Sequence, residues 1–453
     1  MTKGLFSEFQ PVSAKQWKQK IQFELNGADY NKTLVWNSTE NIAVKPFYHA
    51  DNFTPPTIIP HTQATQWQIC QTIFVSDVIK SNKNAIEAIQ NGVESLKFII
   101  SSPKIQVNEL LKNIDLKRIP LFFELQFLNP EFVDHLFKIS TKSHIVVTTD
   151  IIGHLAKTGN WYDNLKSDFS NLKTIVNCGQ TISIDSSLYQ NAGANMVQQL
   201  AYTLAHANEY LFAFEKDLNT NQKIHFQIAV GSNYFFEIAK IRALRILWNT
   251  LALEYNINPH CHIFAMPSKR NKTIYDSYNN MLRSTTECMS AILGGADTIN
   301  NLAFDATYKK TNRLSNRLAN NQLLILKEES FFKKVNNPAN GSYYIETLTQ
   351  QLAEKALTLF KDIEANGGFL KQLKNGTIQR KIKESALIEE ELFNIEKEVL
   401  IGVNKYKTTD ESIKSNLELY PFVKTKHRKT LIVPIIEKRL AETLEQTRLN
   451  PNN

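Results

Sequence analysis

Residues Thr273–Asp305 read TIYDSYNNMLRSTTECMSAILGGADTINNLAFD, and Asn312–Glu346 continue NRLSNRLANNQLLILKEESFFKKVNNPANGSYYIE. In the first stretch Met281, Leu282, Cys288, Met289, Ile292 and Leu293 recur at helical spacing, which predicts a helix over Tyr278–Leu293 with one apolar face. Gly294 and Gly295 follow, where a left-handed cap is sterically cheap. Asp297–Ala303 alternates polar and apolar residues and reads as a strand. Thr311 or Asn312 can cap a further helix that runs through Leu326. Asn337-Pro338 and Asn340-Gly341 are turn dipeptides. Helix, glycine break, strand and helix make one beat of a strand-helix repeat.

The same beat extends backward. Strands are predicted at Trp67–Val75, Ser95–Ile100, Pro120–Phe127, His144–Thr149, Thr174–Asp185, Lys223–Val230, His260–Ala265 and Asp297–Ala303. Helical patterns separate most of them, at Asp77–Gln90, Val107–Lys112, Glu131–Ile139, Asn195–Phe214 and Asn233–Tyr255; Ile151–Leu172 is the least periodic stretch. Eight strands alternating with helices predict an α/β chain built on a (β/α)8 TIM barrel. An open doubly wound sheet is the runner-up, but no G-x-G-x-x-G follows the first strand. Three regions follow: an arm over 1–60 with a short helix near Ala14–Leu25, a barrel over 61–345, and a charged helical extension over 346–453. In the arm, Trp17, Trp36, Phe47 and Tyr48 either wrap a partner or pack on the chain's own barrel.

Composition narrows the function. The 453 residues carry a formal charge of +8, with Lys and Arg dispersed among Asp and Glu, so no nucleic-acid-binding arm stands out. The densest basic run, Lys424–Lys429, reads as a solvated face or a partner contact. Cys70, Cys178, Cys261 and Cys288 lie far apart without a C-x-x-C pair, as expected of reduced cytoplasmic thiols rather than disulfides or a zinc cage. The N-terminus lacks a signal-peptide pattern and no run is long enough for a membrane span, so the expected location is the cytoplasm.

Two strands carry polar residues on the face expected to point inward: Phe122, Glu124 and Gln126 in one, and His225, Gln227 and Ala229 in the other. Such an interior is either a ligand channel, a remnant of one, or a mutually hydrogen-bonded core. Generic catalytic motifs are missing, including G-x-x-x-x-G-K-[ST], H-E-x-x-H and G-x-S-x-G. In His260-Cys261-His262 only the two histidines share a strand face, and without a third ligand no metal site is expected. His206 and His225 read as structural.

The opening segments resemble the barrel of the methylmalonyl-CoA mutase family. The likeness runs back through Asn191-Ala192-Gly193-Ala194, Gln198–Glu209 (QQLAYTLAHANE) and Phe235–Trp248 (FFEIAKIRALRILW), and it covers essentially the whole barrel. The family interconverts methylmalonyl-CoA and succinyl-CoA by radical chemistry, with the acyl-CoA threading the barrel and adenosylcobalamin held across its mouth by a separate domain. Family patterns such as G-Y-H-M-R-E-A-G-A place a substrate-contacting histidine where this chain has Leu188. Nothing before Trp67 resembles Y-A-G-F-G-T-A, Thr148–Asn160 is unlike T-G-T-I-Q-N-D, and Ala265-Met266-Pro267-Ser268 replaces Q-T-S-G. No D-x-H-x-x-G of a cobalamin-binding domain occurs, and such a domain is expected to be absent. Gly294-Gly295-Ala296-Asp297 is the spelling expected of the family's small subunits, where catalytic chains more often read G-G-T-Q.

The resemblance thus implies a small, non-catalytic subunit of a heterodimeric isomerase of this family, partnered by a catalytic large subunit that binds the adenosylcobalamin. No catalytic or metal-binding residue is expected on this chain, nor any nucleic-acid or membrane partner. Two alternatives are an active barrel that borrows a separate cobalamin-binding chain, and a regulatory module that binds CoA esters without turnover.

Overall fold

The computed structural model describes residues 8–53, 55, 62, 64–139, 145–179, 181–218, 222–407, 412–424 and 428–449. Eight parallel strands form its core: β1 (Gln68–Val75), β2 (Ser95–Ile100), β3 (Leu121–Leu125), β4 (Ile145–Val147), β5 (Thr181–Asp185), β6 (Lys223–Val230), β7 (Cys261–Pro267) and β8 (Thr298–Asn300). Their order is β4-β3-β2-β1-β8-β7-β6-β5, a nearly closed (β/α)8 barrel as the alternation predicts. Among the described residues, ladder hydrogen bonds join every neighbouring pair except β4 and β5.

Side-chain parity builds two environments. Leu121, Phe123 and Leu125 of β3, with Ile224, Phe226 and Ile228 of β6, face outward into one continuous apolar layer under the helices. Phe122 and His225 face inward instead, with ring centroids 5.5 Å apart. Helices start where short polar side chains satisfy otherwise orphaned N–H groups. Asp77 accepts from Lys80 N, Asn312 from Ser315 N, and Asn195 forms a reciprocal capping box with Gln198. Gly295 adopts φ +88° and ends helix Asn279–Gly294, as the glycine pair predicts.

Several boundaries differ from the sequence reading. The predicted strand Thr174–Asp185 is half helix: Leu165–Gly179 is helical and β5 begins only at Thr181. Leu172, Ile175 and Val176 are buried at helical spacing, so packing overrides the β-branched preference. The weakly periodic Ile151–Leu172 holds two helices, Ile151–Thr158 and the start of Leu165–Gly179, broken at Gly159 with φ +81°. β8 is shorter than Asp297–Ala303, and the helix from Arg313 leaves α geometry at Leu324 for a π turn over Ile325–Glu329.

The arm contains helix Ala14–Glu24, a second helix Tyr30–Leu34 and a two-stranded pairing of Trp36–Asn37 with Ala43–Val44. Its aromatics pack largely on this chain: Trp17 stacks on Phe47, Trp36 meets Phe236 and Tyr48 meets Tyr344. Beyond the barrel, helix Tyr343–Ala365 lies against helices Met196–Phe214 and Tyr234–Glu254. Arg242, buried in the last of these, holds the Asn340-Gly341 turn by donating to Asn340 Oδ1 at 2.7 Å and to Glu346 at 2.8 Å. Residues 428–440 then run along the C-terminal rim of the barrel. Ile435 N donates to Ala156 O at 2.7 Å, Lys438 N to Asn191 O at 3.1 Å and Leu440 N to Arg270 O at 2.7 Å. Residues 425–427 of the basic run lie outside the described residues; Arg428 donates to Thr158 O. Among the described residues, no helix is long and apolar enough to cross a membrane.

The gap between β4 and β5 is bridged by one carboxylate. Asp150, just past β4, accepts from Asp185 N of β5 at 2.8 Å, Gly153 N at 2.7 Å, His206 Nε2 at 2.9 Å and Tyr210 OH at 2.6 Å. Burial alone would raise this carboxyl, but His206 and the hydrogen bonds hold it below the usual carboxylate range. Asp150→Asn is expected to cost about 3 kcal/mol at pH 7, since it leaves buried donors mispaired. The carboxylate's contribution is complete above the unfolded value of about 3.9 and disappears as pH falls through the lower folded value. Urea titrations of both proteins should therefore show a gap at pH 7 that narrows towards pH 3.

Candidate functional site

At the C-terminal end of the strands a polar cavity of about 250 Å³ opens among β3, β4, β5 and β6. This is the end of a (β/α)8 barrel where βα loops converge and sites are built. Glu124, Gln126, Thr148, Asp150, Ser183, Asp185 and Gln227 line it from the strand ends, and His154, Lys157, Tyr162 and Leu188 line it from the following segments.

Its floor is a buried ion pair. Lys97 of β2, only 2% exposed, pairs with Glu124 of the neighbouring β3 at 2.7 Å and reaches across the barrel to donate to Gln227 of β6. Burial raises the Glu124 carboxyl, but the Lys97 ammonium outweighs that and brings it below the ordinary carboxylate value. Below the floor the interior is filled. His225 and His262 meet through their Nδ1 atoms at 3.0 Å, and His262 Nε2 lies 3.0 Å from Thr298 Oγ1. Phe122 packs against both imidazoles and against Phe264, and Cys70 joins the same cluster. Desolvation lowers both histidine pKa values, so this layer is held in its neutral form.

The wall is a second network. The Asp150 carboxylate can only accept, so His206 Nε2 donates to it, leaving Nδ1 facing the Tyr189 hydroxyl at 2.9 Å. His154 stacks on Tyr162 with ring centroids 3.7 Å apart. Lys157 Nζ lies 3.7 Å from Glu437 of the rim segment, and Glu437 also accepts from Asn191 Nδ2 at 2.9 Å. Asn191 Oδ1 accepts from Lys269 N at 2.9 Å and Ser268 Oγ at 3.2 Å, so the loops after β5 and β7 are tied together. Gly193 sits in this knot at φ +98°, where a Cβ would come within 2.5 Å of Ala386 Cβ.

The residues singled out in the sequence gather at this mouth. Leu188 lies on the helix Ser187–Asn191 after β5, buried in the cavity wall. Thr148 and Asp150 begin the Thr148–Asn160 segment, and Ser268 closes Ala265–Ser268. His260 does not join His262: it is exposed ahead of β7 while His262 points into the barrel. Among the described residues no three His, Cys, Asp or Glu side chains converge on a metal-sized site. Cys70, Cys261 and Cys288 are buried, and burial pushes the Cys70 and Cys261 thiols up to about 12. Lys97 escaped the sequence reading, although one lysine inside SLKFII at inward parity was a signal.

The family profile described as methylmalonyl-CoA mutase matches residues 142–446. The chain belongs to the methylmalonyl-CoA mutase family. It is 33% identical to the methylmalonyl-CoA mutase small subunit of Porphyromonas gingivalis, over 90% of this chain and 72% of that protein. The small subunit of Streptomyces virginiae is 26% identical over the same shares. The methylmalonyl-CoA mutase of Cereibacter sphaeroides is 29% identical over 87% of this chain, which spans 64% of that relative's length.

Adenosylcobalamin is the cofactor the family implies. His154, on the cavity wall, is stacked face to face on Tyr162. The rim carries the chain's own residues 428–440, paired to Ala156, Asn191 and Arg270.

The floor makes a pH-dependent prediction. Lys97→Met strips Glu124 of its counter-charge and raises its carboxyl above the unfolded value. A raised acid is stabilising only while protonated, so the variant should lose most at pH 7 and recover towards pH 4. The loss at pH 7 is expected to be about 2 kcal/mol, less than for a fully buried pair because Glu124 opens onto the cavity. Adding Glu124→Leu should restore much of it, as read by chemical denaturation.

Proposed function

We propose that this chain is the small, non-catalytic subunit of a heterodimeric methylmalonyl-CoA mutase, an isomerase that interconverts methylmalonyl-CoA and succinyl-CoA in the cytoplasm. The observation that carries this reading is the filled barrel. An acyl-CoA threading the axis would have to displace the Lys97–Glu124 pair and the layer of His225, His262, Phe122 and Phe264 beneath it. The cavity left at the mouth among β3–β6, about 250 Å³, is below the roughly 300–1,000 Å³ typical of small-molecule sites. Leu188 adds to this, because its side chain can neither donate a hydrogen bond nor carry a proton.

In this reading the large subunit binds both substrate and adenosylcobalamin. The small subunit contributes surface, on the scale of the upwards of about 2,000 Å² that obligate partners bury. Trp17 and Trp36, about half exposed on the arm, and Leu431 and Val433, exposed on the rim segment, are the apolar side chains offered to it. The small-subunit names carried by the Porphyromonas and Streptomyces relatives support the assignment.

Mutase turnover with adenosylcobalamin and methylmalonyl-CoA tests it. The chain alone should be silent, also as Leu188→His, because the floor still blocks the axis. The one-to-one complex with the cognate large subunit should turn over. Activity of this chain with only a separate cobalamin-binding protein would overturn the reading.

A further inference from the structure

We propose that the cavity at the barrel mouth is a binding site for a small primary ammonium ion that carries a neighbouring hydroxyl or carbonyl. Asp185 and Glu124 would take the ammonium, with Ser183 and Gln227 taking its polar neighbour. This goes beyond the role of the chain in the mutase.

Strand geometry brings the four side chains together. Ser183 and Asp185 are two apart on β5 and share a face, and Asp185 is the register partner of Gln227 on β6. Glu124 reaches the same space from β3, bridged to Gln227 through Lys97. Each retains unused hydrogen-bonding capacity. The Ser183 hydroxyl is 96% buried by residue, lines the cavity and has no partner among the described residues. Gln227 uses Oε1 for Lys97 and leaves its amide N–H groups free. Asp185 uses Oδ1 for Ser187 N at 3.1 Å and Ser187 Oγ at 2.5 Å, leaving Oδ2 open.

Charge selects the ligand class. Lys97 pairs with Glu124, Lys157 and Lys269 both approach Glu437, and Asp150 accepts from His206 at 2.9 Å. Asp185 accepts hydrogen bonds only from neutral donors, and burial with the nearby Glu124 raises its pKa more than Lys97 and Lys157 lower it, so the uncompensated carboxylate is this one. An anion, such as an acyl-CoA carboxylate, meets that field unfavourably, whereas an ammonium relieves it. A bare alkali ion leaves the Gln227 N–H donors unanswered; a ligand with an adjacent oxygen accepts from them. The volume, about 250 Å³ against roughly 30 Å³ per liquid water, admits such an ion with a few waters.

Calorimetric titration and thermal melting of the full chain with ethanolammonium chloride decide the matter, against sodium chloride and sodium acetate at equal ionic strength. Ethanolammonium should release or absorb heat saturably and raise Tm by a few degrees over both controls. Asp185→Asn keeps the acceptor for Ser187 and should weaken binding about tenfold or more, the scale of one lost charge-assisted hydrogen bond. Ser183→Ala removes no existing contact, so it should fold normally and bind more weakly. No ethanolammonium effect beyond sodium chloride overturns the proposal, as does unchanged affinity in both variants or stronger stabilisation by acetate. The assay reads binding to this chain and no turnover, so its failure leaves the subunit assignment standing.

Discussion

The barrel depends on Asp150. Among the described residues no backbone ladder joins β4 and β5, and an open parallel edge would leave N–H and C=O groups without partners. The Asp150 carboxylate replaces part of that ladder by accepting Asp185 N, and it also caps helix Ile151–Thr158. Through His206 and Tyr210 it anchors the long helix Met196–Phe214. One ionised group therefore sets the spacing of the seam, the angle of two helices and one wall of the cavity.

The interior shows what becomes of a barrel axis when polar residues line it. Buried polar side chains are costly unless they find partners, and the lower layers supply most of them through the histidine pair, Thr298 and the Lys97–Glu124–Gln227 bridge, with His225 Nε2 left without a partner among the described residues. Of the alternatives raised by the strand pattern, the hydrogen-bonded core is the one visible at depth. The deeper levels are a mutually bonded core, and the mouth keeps an open pocket. The bridge is the boundary, because a lysine that reaches across the axis to the Gln227 amide oxygen also closes that axis.

The extension is part of the mouth. The backbone of residues 428–440 bonds to the segments after β4, β5 and β7, and Glu437 faces Lys157 and Asn191. Gly159 and Gly193 mark the tight places. A Cβ at Gly159 would meet Ile432 O at 2.7 Å, and one at Gly193 would meet Ala386. Segments far apart in the chain thus share one packed surface.

Periodicity and glycine placement in the sequence determined the α/β barrel, the inward parity of Glu124, His225 and Gln227, and the cap at Gly295, because these follow from local geometry. The run of family motifs determined membership of the mutase family. Sequence alone misplaced the start of β5, since Ile175 and Val176 suit a strand as well as a helix and only burial against neighbouring elements decides between them. The tertiary structure alone decided that Lys97 spans the barrel, that Asp150 bridges a missing ladder, and that residues 428–440 return to the rim. These are contacts between residues tens to hundreds of positions apart, and no local pattern in the chain encodes which distant partner will satisfy a buried charge.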